Sequence, residues 1–271
     1  MKKIVLILNA THTPAQLIKT ALKIAKGSNS LLEAIFLNDI NSLNFSYPFP
    51  NDMYLTGEHP SAKTRSEENM KLMRSIATEF RDACEAAEIE FSIEIDSTVS
   101  FARLISLSRF ADLIIADSKS DSDEYSLRDL LADAHCPLLL VSKNAEPVQK
   151  IFIAYDGTPS SMYAVKMFSY IFPEYKDYQV HLFQIADADT VRIKHIEEIK
   201  SWASKHFSNI KFELITGNVK NELVTYIRPE SEKIIIVMGA YSGSAIARLF
   251  LKSTAESVID GTNASLFITH Q

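Results

Sequence analysis

Cysteine is almost absent from this chain. Cys84 and Cys136 stand far apart among 271 residues, and no CxxC pair occurs. That excludes a disulfide framework and a thiolate zinc site, and predicts two reduced, buried thiols. No run approaches the roughly 18 apolar residues that a membrane helix needs. The apolar stretch 4–8 is too short for the hydrophobic region of a signal peptide. A cytoplasmic protein with no membrane partner is expected. Basic surplus is missing too: the net charge is -6 and no compact Lys/Arg block occurs, which argues against nucleic acid as a partner. HExxH, GxSxG and GxxxxGK[ST] are all lacking, and the histidines show no paired ligand spacing. Neither a metal centre nor a nucleophile–base pair is therefore expected. The segment DSKSDSDEYS carries Asp121, Asp123 and Glu124, but it lacks the glycine turn and terminal Glu of a calcium loop. A solvated acidic loop accounts for it.

What is present is a pattern written twice. KIVLILNAT (3–11) and KIFIAYDGT (150–158) are each a short aliphatic run ending in Asn or Asp, then a small residue and Thr. A helical pattern follows each, over 14–26 and 160–172, with Pro14 and Pro159 where helix starts tolerate proline. ADLIIADS (111–118) corresponds to EKIIIVMGA (232–240), and CPLLLVSK (136–143) to ASLFITHQ (264–271). Three ordered matches point to duplication. They predict two domains, 1–146 and 147–271, joined by a linker of six residues at 144–149. The first carries an insertion over about 41–66, expected to be a surface loop or lid.

In the second half, strands are expected at 151–155, 180–185, 210–216, 234–238 and 265–269. Helices are expected at 160–172, 190–206, 219–228 and 246–259. The run 234–238 is apolar on both faces, as a parallel strand covered by helices should be. This βα alternation predicts a doubly wound parallel sheet in each half. Such sheets bind ligands beyond the carboxyl ends of their strands, where strand order reverses. The loops meeting there would contain Asp156 with Gly157 and the stretch that opens on Gly239.

At these residues the chain resembles the universal stress protein family in its tandem form. IFIAYDGTPSS (151–161) resembles the family's opening strand and turn. VMGAYSGSAIARLFLKSTAESVI (237–259) resembles its G-x2-G-x9-G-[ST] phosphate loop, and GNVKNELVTYI (217–227) its glycine-then-helix repeat. The resemblance implies two five-stranded Rossmann-like α/β domains of the adenine nucleotide alpha hydrolase-like type, and a stress-associated, nucleotide-responsive module rather than an enzyme. It implies ATP with magnesium in the second half alone. Asp156 and Gly157 would meet the ribose or adenine, and the backbone at Ile185 would face the adenine. Gly217, Gly239, Gly243, Lys252, Ser253 and Thr254 would complete the nucleotide site. It further implies that 138–143 and 265–270 pair antiparallel, making an intramolecular pseudo-dimer; a homodimer and an unidentified protein partner are the further assemblies it leaves open.

The departures from the family pattern carry weight. Ser242 and Lys252 occupy glycine places, where positive φ and close backbone approach to phosphate are needed. In the first half Asn9 replaces the Asp, Asp117 replaces the first glycine, and carboxylates follow. Carboxylates repel phosphate at this range. A competing reading therefore makes both sites degenerate and the protein a scaffold, or a binder of an apolar small molecule or lipid. Phe45, Tyr47, Phe49, Met53 and Tyr54 of the insertion would then form the recognition surface.

Overall fold

The computed structural model describes residues 3–9, 13, 15–37, 62–93, 99–118, 127–227, 233–240 and 264–269. The helix expected at 246–259, and residues 41–61 of the insertion, lie outside them. Ten strands join in one sheet of order β3-β2-β1-β4-β5-β10-β9-β6-β7-β8. In chain order they are β1 Lys3–Leu8, β2 Leu31–Phe36, β3 Phe91–Ile93, β4 Leu113–Asp117 and β5 Leu138–Val141, then β6 Lys150–Ala154, β7 Gln179–Ala186, β8 Asn209–Thr216, β9 Ile234–Gly239 and β10 Ser265–Thr269. Every adjacent pair runs parallel except β5 with β10.

The helices lie on both faces: α1 Ala15–Ser28, α2 Ala62–Ala86, α3 Phe101–Ser108, α4 Leu127–Asp133, α5 Pro159–Ile171, α6 Ile196–Ala203 and α7 Val219–Ile227. Strand alternation assigns the faces. Ile4, Leu6 and Leu8 share one core with residues of α1, α2, α5 and α6, while Val5 and Ile7 share the other with residues of α3, α4 and α7. Central strands are thus buried on both sides, which is why they are continuously aliphatic rather than alternating. This is the doubly wound α/β class expected, present in tandem.

Two expectations need correction. Residues 62–66 belong to α2, so they are helix and not part of an inserted loop. The helix expected over 190–206 spans only Ile196–Ala203. Before it, Thr190 N donates to Asp187 O in a turn, and Lys194 N donates to the Gln184 side chain. Backbone donors used in that way cannot propagate a helix. After Ala203 the chain leaves in tight turns, with Phe207 N donating to Ala203 O.

The β5–β10 junction is short and dry. Leu266, Phe267 and Ile268 face Leu140, Leu139 and Leu138, and Ser142 N donates to Ser265 Oγ beside them. Phe267 is fully buried and meets the rings of Phe168 and Phe172 edge-on, at 5.3 and 5.6 Å between centroids. Edge-to-face pairs add to the area they bury. Phe267→Ala should therefore lower unfolding free energy by about 3–5 kcal/mol, read from urea midpoints at unchanged slope.

Both cysteines are buried. Burial, then Glu85, pushes the Cys84 thiol up to about 11. Burial and then Asp112 push Cys136 up to about 12, against a hydrogen bond from the Ile114 backbone. The folded chain thus keeps protons that the unfolded chain releases near pH 9. The stability these thiols contribute is whole below that pH and falls as pH rises through 11 to 12. Native protein at pH 8 should react with a thiol reagent only at its unfolding rate, and urea should expose both thiols together.

Candidate functional site

Strand order in the second half is β10-β9-β6-β7-β8, so the direction of winding reverses between β6 and β9. In doubly wound sheets a ligand crevice lies at the carboxyl ends of the two strands at such a reversal. Asp156 follows β6 and Gly239 ends β9, so both stand at this reversal. Ile185 is near the end of β7, one strand away, on the face that carries α7. Gly217 follows β8 at the sheet edge, two strands from β6. The structure thus brings Asp156, Gly157 and Gly239 together, sets Ile185 beside them and leaves Gly217 at a distance. Ser242, Gly243, Lys252, Ser253 and Thr254 lie outside the described residues.

The Asp156 turn is locally determined. Asp156 Oδ1 accepts from Thr158 N at 3.0 Å and from Thr158 Oγ1 at 2.6 Å. This is an Asx turn, the conformation that Asp favours ahead of a helix. Thr158 caps α5: its Oγ1 accepts from Ser161 N at 3.2 Å, and Pro159 takes the first helical turn. Gly157 has φ +78°, in the left-handed region, and a Cβ there would come within 2.6 Å of Lys194 Cβ. Glycine is needed at this position on both counts.

Lys194 belongs to a strap, residues 187–195, that returns from β7 across the turn. Its anchor is Gln184, a buried amide whose Oε1 accepts from Lys194 N at 3.0 Å. Ile193 is buried beneath it, and His195 takes φ +52° before α6 begins. A cavity of about 460 Å³ opens where the strap becomes α6, lined by Arg192, Lys194, His195 and Glu198 among others. Tyr155, just before the Asp156 turn, is buried, and its phenol is pushed up by burial first, then by Asp156 and Glu198. Sequence reasoning missed the strap. The signal was Gln184, a polar residue inside HLFQIA where aliphatics were due.

Gly239 has a packing reason of its own. A Cβ there would collide with Ser160 Oγ and lie 2.7 Å from Ser160 O, on the first turn of α5. The absent side chain lets the end of β9 approach that helix. Two hydroxyls close to this contact, Ser160 Oγ and Thr269 Oγ1, are buried with no hydrogen-bond partner. Thr269 faces Gly239 across the β9–β10 ladder.

In the first half, Asn9 N donates to Thr13 Oγ1 at 3.2 Å, and Thr13 Oγ1 donates back to Asn9 O at 2.9 Å. Asp117 ends β4, the strand equivalent to β9. The acidic segment 119–126 that follows lies outside the described residues. Among the described residues, no group of three His, Cys, Asp or Glu could hold a metal ion. Nor is any helix among them long and apolar enough to cross a membrane.

These features define a class: a tandem, doubly wound α/β protein with a crevice at a strand-order reversal. No protein-family model and no curated protein matches the sequence. Solved structures do match in fold. A universal stress protein from Archaeoglobus fulgidus DSM 4304 superposes with a TM-score of 0.67 at 13% identity, over 98% of this chain and 96% of that one. A functionally unknown protein from Pseudomonas aeruginosa PAO1 gives 0.60 at 14% identity, over 99% of this chain and 92% of that one. The architecture is that of a tandem universal stress protein.

Packing at Gly239 is open to test. Gly239→Ala should cost about 1–3 kcal/mol through overpacking against the Ser160 backbone. Ser160→Ala should be neutral or mildly stabilising, because the hydroxyl it removes is buried and unpartnered. Urea unfolding of the two variants distinguishes these outcomes.

Proposed function

We propose that the chain is a member of the universal stress protein family and that its second half binds an adenine nucleotide in the crevice between β6 and β9. The observation that carries this reading is Asp156, held by its own Asx turn at the strand-order reversal. Oδ1 is committed to Thr158, and the carboxylate is half-buried at the mouth of the crevice. That fits a hydrogen bond to a ribose hydroxyl or an adenine amino group. The cavity at the junction of strap and α6 is lined by Lys194, which also packs against Gly157, so a base would lie on that side of the turn. Phosphates would lie toward Gly239, with Gly243, Lys252, Ser253 and Thr254 on the loop that follows and Gly217 more remote. Bound magnesium would screen the phosphate charge.

The protein acts as a nucleotide-responsive regulatory module in the cytoplasm rather than as a catalyst. Around the Asp156 turn, the Thr158 and Ser161 hydroxyls are occupied in capping α5. The first half is the non-binding copy, with Asn9 and Asp117 where an Asp and a glycine would serve a nucleotide. A domain boundary near 146 and 147 follows from the same reading.

Calorimetric titration with ATP and magnesium tests it. Wild type should bind one nucleotide per chain. Asp156→Asn keeps an oxygen to accept from Thr158 but removes the charge. It should weaken binding about tenfold or more, the value of a hydrogen bond to a charged group. Absence of heat with wild type would sink the proposal. A lipid found by mass spectrometry on the purified protein would favour the competing reading.

A further inference from the structure

We propose that β8 is a self-pairing edge, and that two copies of this chain associate by laying their β8 strands antiparallel about a two-fold axis at Phe212. The argument starts from the two ends of the ten-stranded sheet. At one end, the described part of β3 is Phe91–Ile93. The other end, β8, is eight residues long, Asn209–Thr216, with sequence NIKFELIT. It pairs with β7 on one side along its whole length. On the other side, among the described residues, no strand accompanies it. It contains no proline or glycine that would interrupt a ladder.

The side chains state which partner fits. Ile210, Phe212 and Leu214 lean on one core, each partly buried. Lys211 and Glu213 alternate with them and therefore project from the opposite face. A two-fold at Phe212 sets residue 211 opposite 213, 210 opposite 214, and 212 opposite its own copy. Lys211 of each chain then faces Glu213 of the other, twice, Ile210 faces Leu214, and Ile215 faces Asn209. Opposite charges placed directly across an antiparallel pair are favourable, and like charges are not. Moving the axis one residue either way along the same face excludes itself. An axis at Lys211 puts two lysines together, and an axis at Glu213 two glutamates. An axis between residues would set Lys211 against Phe212.

One further observation agrees. An edge guarded against pairing carries a charge that repels its copy, whereas the one Lys and one Glu of β8 cancel. In the single chain Glu213 Oε1 lies 3.6 Å from His181 Nδ1 and Oε2 is buried without a partner, so the carboxylate turns outward to meet the ammonium opposite. The resulting interface is isologous, as two-fold dimers require.

Sedimentation equilibrium on the full chain at micromolar concentrations tests this. Wild type should show twice the chain mass. Lys211→Glu puts two carboxylate pairs across the axis and should weaken association at least tenfold, leaving monomer. Lys211 is exposed, so this variant should keep the wild-type circular dichroism spectrum. Mixing K211E with E213K should restore the dimer as a heterodimer, since each strand then meets its charge complement. The double variant K211E/E213K should pair with itself. Monomeric wild type overturns the proposal, as does a K211E dimer of undiminished affinity, which would place the contact on another surface. Neither result bears on nucleotide binding, which is measured separately.

Discussion

The antiparallel contact between β5 and β10 is the interaction on which the rest depends. Each half is a parallel sheet with its last strand at one margin. Left alone, those margins would be rows of unpaired amides beside continuous aliphatic side chains. Pairing Leu138, Leu139 and Leu140 with Leu266, Phe267 and Ile268 consumes both at once. It also lets Phe267 enter the aromatic cluster of α5, so the junction shares a core with the helix that carries the Asp156 turn. The Asp156 turn and the seam between the halves are thus joined through α5.

A second constraint operates inside the crevice. Gly157 lies under Lys194, and Gly239 lies against Ser160. Both glycines mark places where two chain segments approach more closely than a Cβ allows. The resemblance gives them a ligand role, and the structure gives each a packing role as well. These are compatible. A backbone stripped of side chains for close packing also leaves its N–H groups approachable.

Much of this was legible in the sequence. The strand runs, the duplication and the five-strand halves follow from aliphatic periodicity and repeated order, because burial on both faces leaves no freedom in residue type; the antiparallel seam was implied by the family resemblance alone. The misreadings have local causes. Ile193, Ile196, Ile199 and Ala203 recur at nearly helical spacing, so the strap before α6 reads as helix. The turn bond from Thr190 N to Asp187 O and the bond from Lys194 N to Gln184 break it, and a single buried amide carries no period. Gly239 is ambiguous for another reason: a glycine after a buried strand is called for equally by a phosphate and by a helix pressed close. Its contact with Ser160, seventy-nine positions earlier in the chain, has no signature in local pattern.

Because the two halves meet through antiparallel strands, all the strands of one half point one way and all those of the other point back. Their carboxyl ends therefore emerge at opposite rims of the sheet. Gly239 ends its strand at one rim, and Asp117 ends the equivalent strand at the other. Two separate identical subunits could never differ in this manner, since any substitution would alter both at once. Fusion in one polypeptide frees each rim to acquire its own chemistry.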